Sequence, residues 1–286
     1  MRNNLKKIFP HILCFAFMAT LSLAYFYPVL ANKSIDQSDI SQFRGMAKQG
    51  CAQWVTDRAE AEWLDNAFLG MPSYQVSVKY PFDFLSYIDQ TIRFLPRPAD
   101  YLFLYMFSFY ILIVFLNYNW RYALFGSIAF GFSTYMIIIL GVGHNTKALA
   151  LGYLPLVVLG TLLIFNKKFL KGFLITSLAL GLQIHANHYQ MTFYTLILIG
   201  IIFFVYLYDY YKKNEIKVFV NAFLVLFSSC ILSLLLNATP LLATKEYSEF
   251  STRSASEITI NPDGSDKEKS SGLSKEYITE YSYGIL

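Results

Sequence analysis

Acids and histidines are scarce in this chain: 19 of its 286 residues are Asp or Glu and four are His. Asp36 and Asp39 stand three residues apart. At that spacing two carboxylates can share a divalent cation, or one can act as a general base on a hydroxyl. Paired acids are also commonly a solvated face, and Asp39 followed by Gln42 fits a helix-capping box that would account for it alone. His144 shares the turn Gly141-Val142-Gly143-His144-Asn145-Thr146-Lys147 with Lys147, and His185 and His188 share His185-Ala186-Asn187-His188-Tyr189-Gln190. Imidazole and ammonium groups in such turns supply donors and positive charge for an anionic leaving group, although a turn imidazole is equally at home in water. Trp63 lies among Glu60, Glu62 and Asp65, just before Asn66 and a Gly70-Met71-Pro72 turn. A flat ring among carboxylate acceptors suits a sugar, with its apolar face and hydroxyl rim, and suits an interfacial anchor just as well. The cysteines Cys14, Cys51 and Cys230 have no metal-binding spacing.

The elements that must position these groups are apolar helices. Hydrophobic residues make up 55% of the chain and charged residues 15%, against roughly 25% charged in soluble domains. Lipid is therefore the expected main solvent. The net charge of +4 is too mild to imply nucleic acid as a partner. A span of the hydrocarbon core needs about 20 mainly apolar residues, and it must be helical because lipid offers no partner to exposed backbone. Such runs cover 8–30, 100–117, 121–141, 148–165, 170–186, 190–210 and 218–240. The expected fold is an all-α integral membrane protein of about seven spans.

Basic residues in short loops mark the cytoplasmic side. Arg2, Lys6 and Lys7, then Arg121, then Lys167, Lys168 and Lys171, then Lys212, Lys213 and Lys217 all fall on one side of the seven spans. The N-terminus is thus expected inside, in the inner or plasma membrane, with the histidine turns outside. A cleaved signal is the other reading of the first run, since Val29-Leu30-Ala31 follows a basic start, but the apolar stretch is longer than a signal core usually is. Residues 31–98 become a long exterior loop. Ile40, Phe43, Met46, Ala47, Cys51 and Trp54 recur within it at helical spacing and predict an amphipathic surface helix, and Pro81 to Pro98 predicts short interfacial pieces. From 245 to 286 the chain turns rich in Ser, Glu, Lys and Gly and reads as a polar exterior segment following a transmembrane module over 1–244.

Four ordered motifs carry a resemblance. Asp36-Gln37-Ser38-Asp39-Ile40-Ser41-Gln42-Phe43, Trp63 through Gln75, Gly143-His144-Asn145-Thr146-Lys147 and His185-Ala186-Asn187-His188-Tyr189-Gln190-Met191-Thr192 together resemble the bacterial YfhO-like membrane proteins. That family is similar to the GT-C membrane glycosyltransferases, whose first exterior loop carries an essential acid and whose sugar donor is linked to polyprenyl phosphate. The resemblance implies Asp39 as the functional acid with Asp36 second, and implies a longer protein of which this chain is an N-terminal portion.

The function expected on that basis is transfer of a sugar from a polyprenyl-phosphate-linked donor to an envelope glycan or lipid acceptor on the exterior face. Trp63, Asn66, His144, Lys147, His185, His188 and Gln190 are the expected substrate-binding groups, and a divalent cation is a candidate cofactor held by the acids. A transporter or flippase of a lipid-linked substrate is a rival, but it predicts ionisable groups deep in the spans, where the sequence places essentially none. A non-catalytic envelope-assembly protein is a third reading.

Overall fold

The computed structural model describes residues 2–57, 62–76, 83–248, 260, 264–265 and 275–280. The described residues are almost entirely helical, and the sheet among them is a two-stranded antiparallel hairpin. Helix α1 (Arg2–Tyr25) opens the chain and α2 (Ser38–Asp57) lies in the long loop after it. Strands β1 (Trp63–Leu64) and β2 (Met71–Pro72) follow, with Trp63 opposite Pro72 and Leu64 opposite Met71. Helix α3 (Phe84–Ile92) leads into the bundle of α4 (Ala99–Phe115), α5 (Trp120–Gly131), α6 (Thr134–Val142), α7 (Asn145–Phe165), α8 (Phe169–His185), α9 (Tyr189–Lys212) and α10 (Ile216–Leu236). Helices α11 (Ala238–Ser248) and α12 (Lys275–Glu280) complete the described elements.

Among the described residues four helices are long and apolar enough to cross a bilayer: Lys6–Tyr25 of α1, then α7, α9 and α10. Helices α5 and α6 together form a fifth candidate, bent by 45°. Helices α4 and α8 are shorter apolar helices of 17 residues each. The chain is thus an all-α protein with the helices of a multi-pass membrane protein.

Three boundaries differ from the sequence reading, each for a local reason. The first run ends as α-helix at Tyr25 and not near residue 30, because Pro28 has no N–H to continue the ladder and the chain tightens into a 3-10 turn over Tyr27–Ala31. The run 121–141 is two helices, because Ser133 is extended just after Gly131, a pairing of small residues at which helices break. Gly131 must be small, since a Cβ there would come within 2.7 Å of Met106. The last run stops at Leu236, where the buried Asn237 donates its amide to the carbonyls of Gly181 and Ser233 and so ties the end of α10 to α8.

Two cores hold the bundle. One gathers Met18, Tyr101, Tyr105, Met106, Tyr110, Met136 and Leu140 from α1, α4 and α6. The other gathers Ile164, Phe165, Leu180, Tyr210, Phe219 and Leu226 from α7 to α10. Helices α7 and α8 pack closely at Gly160, where a Cβ would meet Thr176 Oγ1 at 2.3 Å, and at Gly172, where one would meet the backbone nitrogen of Ile164 at 2.7 Å. Small residues let backbones meet in this way where apolar solvent gives helices no hydrophobic reason to associate.

Candidate functional site

The site is assembled where α2 begins, against the turn between α6 and α7. The backbone carbonyl of Gln37 accepts from the N–H groups of Ile40 and Ser41, which makes Gln37 the cap residue of α2. The buried side chain of Gln37 donates to the Leu140 carbonyl and fastens this end of α2 to α6. The capping box expected from Asp39 and Gln42 is therefore corrected: Asp39 sits one step inside the helix, and its carboxylate turns elsewhere. It meets His144, with Oδ2 and Nε2 3.0 Å apart. Gly143 makes this approach possible. It is left-handed at φ 97°, and a Cβ on it would lie 2.9 Å from Gln37 Cβ. His144 itself caps α7 by position, without a side-chain capping bond, so its ring is free to face Asp39.

Asp39 and His144 line a cavity of about 440 Å3 together with Lys147, His188, Arg97, Tyr101 and Asn145. His188 is the cap residue of α9 and is half-buried; its Nδ1 has no hydrogen-bond partner among the described residues. Burial first, then the nearby charge of Lys147 and then His144, push its imidazole below the ordinary histidine range. Lys147, on the first turn of α7, and Arg97 bring permanent positive charge to the same walls. A second cavity of about 380 Å3 adjoins the first, with Ile40, Arg97 and Asn145 common to both. Asp36 lines the second cavity and Asp39 the first.

The remaining expected site residues stand apart from these cavities. His185, at the end of α8, faces Asp83 with 3.5 Å between Nε2 and Oδ2, while Oδ1 of Asp83 accepts from the Ser86 N–H and caps α3. Gln190 donates to the Tyr194 hydroxyl. Asn66 donates to the carbonyls of Gly45 and Met46, and Gln49 accepts from the N–H groups of Asp65 and Asn66, so this stretch stitches the hairpin onto α2. Trp63 is half-exposed with its ring over Gly70, where a Cβ would lie 2.8 Å away. Glu60 of this motif, the polar stretch after Ser248 apart from its few described residues, and the side chain of Trp54 lie outside what the structure describes. In α2, Ala47 is buried, while Phe43 and Cys51 are exposed.

The sequence reading missed a buried ionic network behind the cavity. Arg93 forks between Asp89 and Asp100, and the Tyr153 hydroxyl donates to Asp89 Oδ1 at 2.6 Å. Burial opposes the charge on Arg93, yet the hydrogen bond and charge of Asp89, with the charge of Asp100, hold its guanidinium more firmly protonated than usual. One member of the network, Asp100, is 3% exposed in the first turn of α4, at the end of that apolar helix and not deep within it. The guanidiniums of Arg93 and Arg97 each lie 5.2 Å from the ring centre of Tyr101, which connects the network to the cavity rim. Asp89 and Arg93, four apart on a helix, were the visible signal, but such pairs are usually solvated.

Among the described residues no three His, Cys, Asp or Glu side chains come together as a metal site. The residues present do not fit a cation cage, and no chemical step is derived through one. Compared with protein-family models, curated proteins and solved structures, the chain matches none.

Proposed function

We propose that this chain is a membrane glycosyltransferase of the GT-C kind, resembling the YfhO-like proteins, which moves a sugar from a polyprenyl-phosphate donor to an envelope acceptor on the exterior face. The observation that carries the reading is the Asp39–His144 pair on the wall of a cavity that also bears Lys147, Arg97 and His188. An acceptor hydroxyl attacks the anomeric carbon as the bond from that carbon to the phosphate oxygen breaks. Asp39, oriented by His144, takes the hydroxyl proton, and Lys147 and Arg97 stabilise the charge left on the departing phosphate. An apolar groove of about 220 Å3, lined by Leu180, Tyr189, Phe193 and Leu234, starts beside His188 and suits the donor's hydrocarbon tail.

Seven spans with the N-terminus inside complete the proposal, with α4 and α8 counted as spans at the short end of the range. Helix α7 has 21 residues, which sets its two ends about 30 Å apart. Lys167, just beyond its far end, pairs with Glu215 at 2.6 Å, so the basic turns after α7 and α9 share the end away from His144.

The test uses the purified full chain in lipid nanodiscs with a radiolabelled sugar on polyprenyl phosphate. Transfer that disappears in Asp39→Asn supports the proposal; transfer unchanged in that variant removes Asp39 as the base. Transport of a lipid-linked substrate is a second reading, favoured by the buried Asp89–Arg93–Asp100 network, since ionisable groups at the edge of apolar helices often mark transport paths. Movement of a labelled lipid-linked sugar across proteoliposomes without any sugar transfer would favour it.

A further inference from the structure

The two adjoining cavities differ in chemistry. The one beside His144 gathers Lys147, Arg97 and two imidazoles around one carboxylate, and that carboxylate is engaged by His144. The other carries Arg44 and Arg97 against Asp36. Neither Arg44 nor Asp36 makes an ion pair or a side-chain hydrogen bond among the described residues. Asn145, on the boundary, holds both its amide oxygen and its amide nitrogen buried without hydrogen-bond partners among the described residues. Buried amides are ordinarily satisfied, so such a group awaits a ligand or water.

We propose that the second cavity is a binding site for an acidic carbohydrate, the acceptor of the transfer. Its acid, a carboxylate or a phosphate, lies between the guanidiniums of Arg44 and Arg97, whose planar donor forks match either oxyanion. Its hydroxyls are read by the Asp36 carboxylate, an acceptor, and by the Asn145 amide, which both donates and accepts. Ile35 and Pro98 supply apolar surface for the ring face. A volume of about 380 Å3 falls in the range of small-ligand pockets. This assignment moves Asp36 from second catalytic acid to acceptor-binding residue. Asp39 is next to Ile40, which lines both cavities, so a hydroxyl at the boundary lies beside the base. The acceptor role rests on the glycosyl-transfer reading; the binding of an acidic sugar does not.

Saturation-transfer NMR on the full chain in nanodiscs, titrated with glucuronate, glucose 1-phosphate and glucose, tests the site without any donor. Both acidic sugars are expected to bind at least about tenfold more tightly than glucose, because charge-assisted bonds to Arg44 add to the hydroxyl contacts. Arg44→Gln should remove that preference, and Arg44 is exposed, so the fold should survive the change. Lys168→Gln, which removes the same charge beyond the far end of α7, should leave the preference intact. Preference for only one of the acids supports the site and identifies the acid. Glucose binding as well as the acids, or a preference that survives Arg44→Gln, overturns it. An Arg44-dependent preference without sugar transfer from a polyprenyl-phosphate donor leaves the site standing and removes its acceptor role. Transfer to neutral acceptors that is unaffected by Arg44→Gln removes the acidic-acceptor assignment and leaves the transferase reading in place.

Discussion

His144 Nε2 stands 3.0 Å from Asp39 Oδ2, joining the first turn of a loop helix to the cap of a bundle helix. Both side chains keep about four-tenths of their surface exposed. Water screens a pair of that kind, and such pairs contribute little to stability. Its value lies in orientation. Asp39→Asn should lower sugar transfer by about a hundred- to ten-thousandfold, the usual worth of a general base, with no measurable change in thermal unfolding. His144→Gln should lower kcat less and leave KM for the acceptor nearly constant. Equal losses from Asp36→Asn and Asp39→Asn would contradict the division of labour between the two acids.

His188 should titrate below the ordinary histidine value of about 6.5, because burial and the Lys147 charge favour its neutral form. A histidine whose folded value is depressed excludes a proton on folding. The stability tied to the neutral ring is complete above the unfolded value and is lost as pH falls through the folded one. Histidine-selective NMR in nanodiscs reads this directly, and Lys147→Gln should move the midpoint upward. A His188 midpoint at or above that of a free histidine would refute the burial described for it.

Among the described residues Arg93 is the cation that ion-pairs with both Asp89 and Asp100, and both acids are buried. Arg93→Gln leaves two buried carboxylates without their partner and should cost about 3–5 kcal/mol. Tyr153→Phe removes one hydrogen bond to a charged oxygen, for which about 1.5–3 kcal/mol is expected. Unfolding in mixed micelles measures both, and a near-silent Arg93→Gln would mean that the network is open to water.

Gly160 is a point of close packing between α7 and α8. A methyl group there meets the backbone nitrogen of Thr176 at 2.6 Å as well as its hydroxyl, so the helices must separate and not merely shift a side chain. Gly160→Ala should destabilise by about 1–3 kcal/mol. Gly141→Ala, with nothing within 4 Å, is the control expected to be neutral in the same assay.

The helices of the bundle were legible because lipid demands uninterrupted apolar runs, and the ends of α7 and α9 fall within three residues of those runs. The break between α5 and α6 was not legible, because Gly131 and Ser133 barely alter the hydropathy of the run and act through packing against Met106. For the site, charge asymmetry between the loops grouped Asp39, His144, Lys147 and His188, and the cavity gathers those four. It also grouped His185, which spacing alone could not separate from His188, although three residues place one at a helix end beside Asp83 and the other at the next helix start. Arg97 and Tyr101 escaped notice because they act through a network whose members come from α3, α4 and α7, and no local pattern records that Tyr153 reaches Asp89.

The Gln37 side chain, bound to the Leu140 carbonyl, gives α2 a fulcrum. The helix has 20 residues and so runs about 30 Å from that point. Swinging it by about ten degrees would carry the far end of the helix through roughly 5 Å, while Asp39, two residues from the pivot, would travel about half an ångström. The loop is also held beyond the hairpin, where the Tyr74 ring meets Tyr247 of α11 edge to face at 6.0 Å, so small movements of α2 between these two anchors leave the Asp39–His144 pair in place.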